Sequence, residues 1–147
     1  MSAEQRLQEL GIELPAIPNA GGNYVHARRH GDTIYLSGKT PGVKGKLGDT
    51  VTVEEGYAAA RQVALYQLAV LRDTVGSLDK VTGVIKVLGM VNAVPEFGQQ
   101  PAVINGFSDL IVDVFGEIGR HARSAVGMGS LPGGVCVEIE AIVAVED

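Results

Sequence analysis

Apolar positions along the chain change their period several times, and each change predicts an element. From Thr52, the residues Tyr57, Arg61, Ala64, Leu68, Leu71 and Val75 recur at helical spacing, with Ala60 and Leu65 beside them. Thr52 followed three residues later by Glu55 fits a capping box, and Gly76 fits a C-terminal cap, so the spacing predicts a long helix between them. A second helix is predicted over about Pro101 to Gly116, with Phe107, Leu110, Ile111, Val114 and Phe115 as its apolar stripe. Residues Met1 to about Leu14 read as a short amphipathic helix carrying Leu7 and Leu10, which Pro15, Pro18 and Gly21-Gly22 bring to an end.

Between and around these helices the pattern turns to strands. Tyr24 to Arg28 and Thr33 to Ser37 form a hairpin through His30-Gly31-Asp32. A polar, glycine-rich loop follows from Lys39 to Thr50. Val81 to Val94 is too apolar on both faces to border water and reads as an inner strand ended by Pro95. Ala122 to Met128 and Val135 to Val145 complete the set, giving the order strand, strand, helix, strand, helix, strand, strand. The expected fold class is α+β: a mixed sheet with two helices on one face, in a single domain over 1–147 with a helical extension over about 1–20. Alternation then sends part of Val84, Leu88, Met90, Val137, Ile139 and Val143 to a second face with no helix to cover it, which implies oligomerisation.

Composition narrows the function classes. A chain of 147 residues, 46% hydrophobic, buries about 70% of its unfolded surface. Its apolar runs fall far short of the roughly 20 residues that span a bilayer, and Met1 to Pro15 lacks the apolar stretch of a signal peptide. The single cysteine, Cys136, excludes an internal disulfide and points to a reducing cytoplasm. A net charge of −5 without a basic run counts against nucleic-acid binding. His26, His30 and His121 lack metal-ligand spacing, and no nucleophile elbow, P-loop or dinucleotide fingerprint is present, so neither a metal nor a cofactor is expected.

The candidate chemistry lies near the end of the chain. Arg123 opens one strand-like run and Glu138 sits in the next, across a Gly/Ser/Pro turn. Antiparallel pairing of the two runs would hold a cation close to a carboxylate. A small acid could then be anchored by the arginine fork while the glutamate handles water. Taken alone, Arg123 reads first as a partner for a neighbouring carboxylate, and Glu138 and Glu140 read as solvated strand residues.

Ala122-Arg123-Ser124, Leu131-Pro132 and Val137-Glu138-Ile139-Glu140-Ala141 resemble the Rid/YjgF family, also called the L-PSP endoribonuclease family. The resemblance extends to Ile34-Tyr35-Leu36-Ser37-Gly38, to Gly76–Val81 and to Asn105–Phe115, and it looks like a divergent branch. It implies a chorismate-mutase-like fold assembled as a homotrimer, with ligand clefts between subunits. It also implies that Arg123 grips a ligand carboxylate and that Glu138 positions water. Tyr24 reads either as a cleft residue or as a packed strand aromatic, and Asn105 either as a cleft residue or as a helix N-cap. Ser37 and Gly38 are expected to end a strand and present backbone donors. Ala125 stands where the common branch has a cysteine, which removes thiol chemistry but keeps the backbone groups. Cys136 reads as a small core residue, Glu140 as solvated, and His121 as a turn residue that could border the cleft.

The reaction implied is cofactor-independent hydrolysis of reactive enamines or imines to 2-oxo acids and ammonia. A trimeric binding protein for a carboxylate-bearing metabolite, without chemistry, is the alternative. Endoribonuclease action, suggested by the family name, ranks third.

Overall fold

The long helix begins where its capping box places it. In the computed structural model, which describes residues 1–147, the Thr52 hydroxyl accepts from the Glu55 amide and Glu55 accepts from the Thr52 amide, both at 3.1 Å. These two bonds satisfy two of the donors that every helix start leaves open.

The elements run α1 (Ala3–Glu9), β1 (Ala27–His30), β2 (Thr33–Lys39), α2 (Val53–Val75), β3 (Val81–Asn92), α3 (Gln100–Phe115), β4 (Ala122–Met128) and β5 (Val137–Val145). The five strands form one mixed sheet in the order β1-β2-β5-β3-β4. β3 pairs antiparallel with β5 on one side and parallel with β4 on the other. The expected sequence of elements and the α+β class are those observed. Several boundaries differ, two of them by more than two residues. The first strand starts at Ala27 rather than Tyr24, and α1 ends at Glu9 rather than near Leu14. Gly11, at φ 68°, turns the chain out of the helix, and Ile12, Leu14 and Ile17 then pack against the core from an extended segment.

α1 is part of the packed body. Ala3 and Leu7 are buried in the core, and the Glu4 carboxylate accepts from Nε and Nη2 of Arg72 on α2, at 3.0 and 2.8 Å. α2 and α3 cross on one face of the sheet, and Gly106 sets how close they come. A Cβ there would run into the backbone carbonyl of Tyr57. The core between helices and sheet holds Leu68, Leu71, Ile104, Phe107, Val87, Val91, Ile139 and Val143.

Registered partners point to the same side, so pairing assigns each side chain to a face. Ile34, Val87, Val91, Val137, Ile139, Ala141 and Val143 face the helices. Tyr35, Leu88, Met90, Val126, Glu138, Glu140 and Ile142 face away. On that second face Tyr35 is 49% exposed and Leu88, Met90 and Ile142 are only half-buried. Of the six residues expected to divide between two faces, Val84, Val137, Ile139 and Val143 are buried on the helix side, and Leu88 and Met90 lie on the open side.

Leu68 has no exposed surface, whereas Glu140 is exposed. Leu68→Asp should therefore cost several kcal/mol, near the lower end of the roughly 5–15 kcal/mol that holds a domain together. Thermal denaturation should show an unfolded or strongly destabilised Leu68→Asp protein and a Glu140→Gln protein close to wild type. A near-normal melting temperature for the aspartate variant would contradict this helix packing.

Candidate functional site

Arg123 lies on β4 and Glu138 on β5, but these strands do not pair. β3 runs between them, so the expected antiparallel contact does not form. Arg123 registers with Val87 and, through it, with Ala141 on the helix face. Glu138 registers with Met90 and Val126 on the open face. Two strand spacings, about 10 Å, and the sheet itself separate the two groups within one chain. The candidate residues fall into two clusters.

The first cluster surrounds Glu138. The pairing of β2 with β5 shifts register between Leu36 and Lys39, a bulge that holds Ser37 and Gly38. Gln67 of α2, fully buried, fastens this bulge to β5 by donating from one side-chain nitrogen to the carbonyls of Ser37 at 2.9 Å and Ile139 at 3.0 Å. The Glu138 carboxylate lies directly over Gly38, where any Cβ would collide with its oxygen. A cavity of about 540 Å³ opens here, lined by Tyr24, Gly38, Lys39, Pro132, Glu138 and Glu140 among others. Burial, reinforced by Glu140 and opposed by Lys39, holds the Glu138 carboxyl above the usual carboxylate range. A shift in that direction makes the carboxyl a readier proton donor than a free glutamate.

Tyr24 precedes β1 instead of lying in it. Its ring is 48% exposed, which removes the packed-strand reading, and its hydroxyl accepts from the Gly21 amide at 3.0 Å. Ser37 does not present free donors as expected. Its amide donates to the His26 carbonyl at 2.9 Å and its hydroxyl to the Val25 carbonyl at 2.6 Å. Ser37 therefore ties the Tyr24 segment to β2, and Gly38 supplies the open surface.

The second cluster surrounds Arg123. One guanidinium nitrogen donates to Asn105 Oδ1 at 2.8 Å and to Ser108 Oγ at 3.1 Å, both on α3. Asn105 is thus inside the helix and not its N-cap, since α3 already begins at Gln100. None of the four ion pairs in the chain involves Arg123, so the rest of its fork is available to a ligand. Ala125, two residues along the same face, packs partly against the core beside α3. β4 is an edge strand, whose outer side offers unpaired backbone groups.

Behind Arg123 stands a pair that sequence reasoning missed in part. Ser108 Oγ and His121 Nε2 are 2.8 Å apart, and His121 Nδ1 is 2.7 Å from the Gly119 carbonyl. A carbonyl only accepts, so Nδ1 carries the proton and Nε2 accepts from the Ser108 hydroxyl. The Ser108 oxygen is then free to accept from Arg123. Burial lowers the His121 pKa, with the Gly119 bond opposing and the Arg123 charge assisting, so the neutral ring persists. Ser108 sits three residues after Asn105 on one helix face, a spacing visible in the sequence but without meaning until His121 folds against it. Lys39 and Gln67 were missed as well. Gln67 carried a signal, being the polar residue beside Leu68 on the apolar stripe of a long helix.

Cys136 is fully buried in the core, and burial pushes its thiol pKa up. No three His, Cys, Asp or Glu side chains converge to ligate a metal ion. No helix is long and apolar enough to cross a membrane.

Protein TCP17 of Trypanosoma cruzi is 45% identical over 93% of this chain and 90% of its own. A Dermatophagoides farinae protein named 2-iminobutanoate/2-iminopropanoate deaminase is 30% identical over 92% of this chain and 95% of its own. A solved structure from Shewanella oneidensis superposes with a TM-score of 0.94 at 30% identity, covering 99% of this chain and all of that one. TdcF of E. coli, solved with bound serine, superposes less closely, with a TM-score of 0.61 at 26% identity over 89% of this chain and 94% of that one. The YjgF/chorismate mutase-like family matches residues 4–138, and the chain belongs to it, as a member of the Rid/YjgF proteins.

Proposed function

We propose that the chain hydrolyses reactive enamine or imine intermediates to 2-oxo acids and ammonia, in clefts assembled between copies of itself. The observation that carries this reading is the division of the site. A guanidinium without an ion pair lies on the helix face, and a desolvated carboxyl beside a cavity lies on the open face. A ligand can reach both only if the Arg123 cluster of one copy meets the Glu138 cluster of another. The half-covered apolar residues of the open face give a reason for copies to associate. The relative named as an imine deaminase supports the reaction class, and the relative solved with serine supports a small ligand bearing a carboxylate.

In this reading the Arg123 fork takes the ligand carboxylate in two parallel hydrogen bonds, held in place by Asn105 and Ser108. The imine carbon is already electrophilic. Glu138, its carboxyl pKa raised by burial, directs water to that carbon and passes the proton to the departing nitrogen. Tyr24 and the Gly38 backbone close the cavity around the ligand. No step requires a cofactor. We place this activity in the reducing cytosol, where Cys136 stays a thiol. A binding protein that holds the acid without turning it over uses the same Arg123 geometry. Endoribonuclease action is disfavoured by the net charge of −5.

The assembly is expected to be a homotrimer. Two different patches meeting head to tail close into a ring, and three is the number that the family resemblance implies. Light scattering at micromolar concentration should return three times the chain mass. A monomer would remove the cleft and the proposal with it.

Arg123→Lys should keep fold and assembly but lower kcat/KM on 2-imino acids by roughly 10- to 150-fold, because one charge-assisted bond is worth about 1.5–3 kcal/mol. Glu138→Gln should lower kcat by about 100-fold or more while leaving 2-oxo acid binding nearly intact. The assay follows hydrolysis of an imine generated by an amino-acid oxidase. Wild type that binds the acid through Arg123 without accelerating hydrolysis would establish the binding-protein reading instead.

His121 supplies a pH dependence. Its pKa is lower folded than unfolded, so the unfolded chain takes up the proton first as pH falls below about 6.5. The stability contributed by the neutral ring is full above that value and is lost on acidification. His26, whose pKa is also lowered by burial, acts in the same direction and forms the background. Melting temperatures from pH 7.5 to 5 should therefore fall more steeply for wild type than for His121→Gln. Parallel curves would show that the Ser108–His121 pair holds no neutral ring.

A further inference from the structure

A hydroxyl inside a helix commonly bonds the carbonyl four residues earlier, as Thr74 does with Val70 at 2.7 Å on α2. Ser108 on α3 turns away from its own helix. Its oxygen lies 2.8 Å from His121 Nε2, and the other ring nitrogen is held by the Gly119 carbonyl at 2.7 Å. The pair is half-buried and opens on a cavity of about 230 Å³, lined by Ser108, Asp109, Val112, Arg120, His121 and Arg123. This cavity shares no residue with the one beside Glu138.

Support for Arg123 does not by itself account for the pair. The same guanidinium nitrogen already donates to Asn105 Oδ1 at 2.8 Å, a shorter bond than the 3.1 Å to Ser108. What the pair adds is a hydroxyl bonded to an imidazole whose tautomer a third group fixes. That is the arrangement that activates a serine for attack, since the ring takes the proton as the oxygen forms its new bond. The carbonyl of Gly119 fills the orienting place that a carboxylate often takes. The cavity also supplies a cation for a developing oxyanion. Its other charged walls hold partners elsewhere, Asp109 accepting from the Tyr57 hydroxyl at 2.7 Å and Arg120 pairing with Glu117 at 3.2 Å. Arg123 has no ion pair and sits beside the serine oxygen.

We infer that Ser108 is a nucleophile, with His121 as its base, and that it hydrolyses short carboxylic esters through an acyl-serine. A small cavity with Val112 as its one apolar side chain suits an acyl group of a few atoms. The Oγ lone pair forms a bond to the ester carbonyl carbon, His121 Nε2 takes the hydroxyl proton, and the C=O π pair moves to the carbonyl oxygen. Arg123 offsets the charge on that oxygen. The C=O bond then re-forms and the bond to the alcohol oxygen breaks, the alcohol leaving with the proton from Nε2. Water adds to the acyl-serine in the same way, giving its proton to Nε2. The C–Oγ bond breaks, the proton returns to Oγ, and the acid is released.

The purified full-length protein is treated with diisopropyl fluorophosphate, which phosphorylates activated serines and spares ordinary ones. Peptide mapping by mass spectrometry should place one phosphoryl group on Ser108, ahead of Ser2, Ser37, Ser77, Ser124 and Ser130. The protein should turn over p-nitrophenyl acetate, and labelling should abolish that turnover. His121→Gln should slow both reactions by about 100-fold or more, the range in which a positioned general base contributes. Ser108→Ala should lose both, each variant being checked for an unchanged melting temperature. Wild type that is unlabelled at Ser108, or labelled there no faster than at the other serines, overturns the inference without recourse to any variant. Labelling that His121→Gln leaves unchanged overturns it too, as does ester turnover that survives complete labelling of Ser108. None of these readouts passes through imine hydrolysis, so the deaminase reading stands or falls separately.

Discussion

β3 separates β4 from β5, and the site follows from that placement. A strand between two others fixes which residues share a face, because the alternation of side chains leaves no freedom once the register is set. Arg123 is bound to the helix face by its pairing with Val87, and Glu138 to the open face by its pairing with Met90. A one-residue slip would send Ile139 and Val143 into solvent, so the hydrophobic core enforces the separation of the two functional groups. The same constraint leaves Tyr35, Leu88, Met90 and Ile142 half-covered or exposed on the face that carries Glu138. The position of the candidate site and the half-covered apolar face are thus consequences of one sheet order.

Each cluster is held by a buried polar contact from a helix. Gln67 reaches from α2 to the Ser37–Gly38 bulge and to β5, donating from one nitrogen to two carbonyls. The bulge is what brings the Gly38 backbone beneath the Glu138 carboxylate. On α3, Asn105 and Ser108 aim Arg123, and His121 keeps the Ser108 hydroxyl turned so that its oxygen can accept. Both arrangements put side chains at the edges of the sheet under the control of the hydrophobic core, which limits how far they can wander before a ligand arrives.

The relatives named in the comparisons do not share one description, and the residues explain how one fold can accommodate that. A guanidinium fork and a tuned carboxyl are general tools for small acids. With Ala125 beside Arg123, this chain has no thiol there to specialise them. The tighter superposition on the Shewanella structure than on TdcF is in keeping with a separate branch of the family.

Much of the fold was legible because it is local. The Thr52–Glu55 capping box, the Gly76 cap, the apolar stripe of α3 and the hairpin at Gly31-Asp32 each depend on residues within a few positions of one another. Arg123, Glu138, Tyr24, Asn105 and Gly38 were recognisable as candidates from motif and residue type. Their grouping was not. Two successive strand-like runs suggest a hairpin, and nothing near Arg123 or Glu138 reveals that β3, some 30 residues or more upstream of both, inserts between them. The end of α1 at Gly11, the clamp of Gln67 and the Ser108–His121 pair were hidden for the same reason. The sequence by itself determined the elements and the chemistry available, since propensity, capping and periodicity act along the chain. Only the tertiary structure decided which groups face each other, because strand order and face depend on burying the whole core at once.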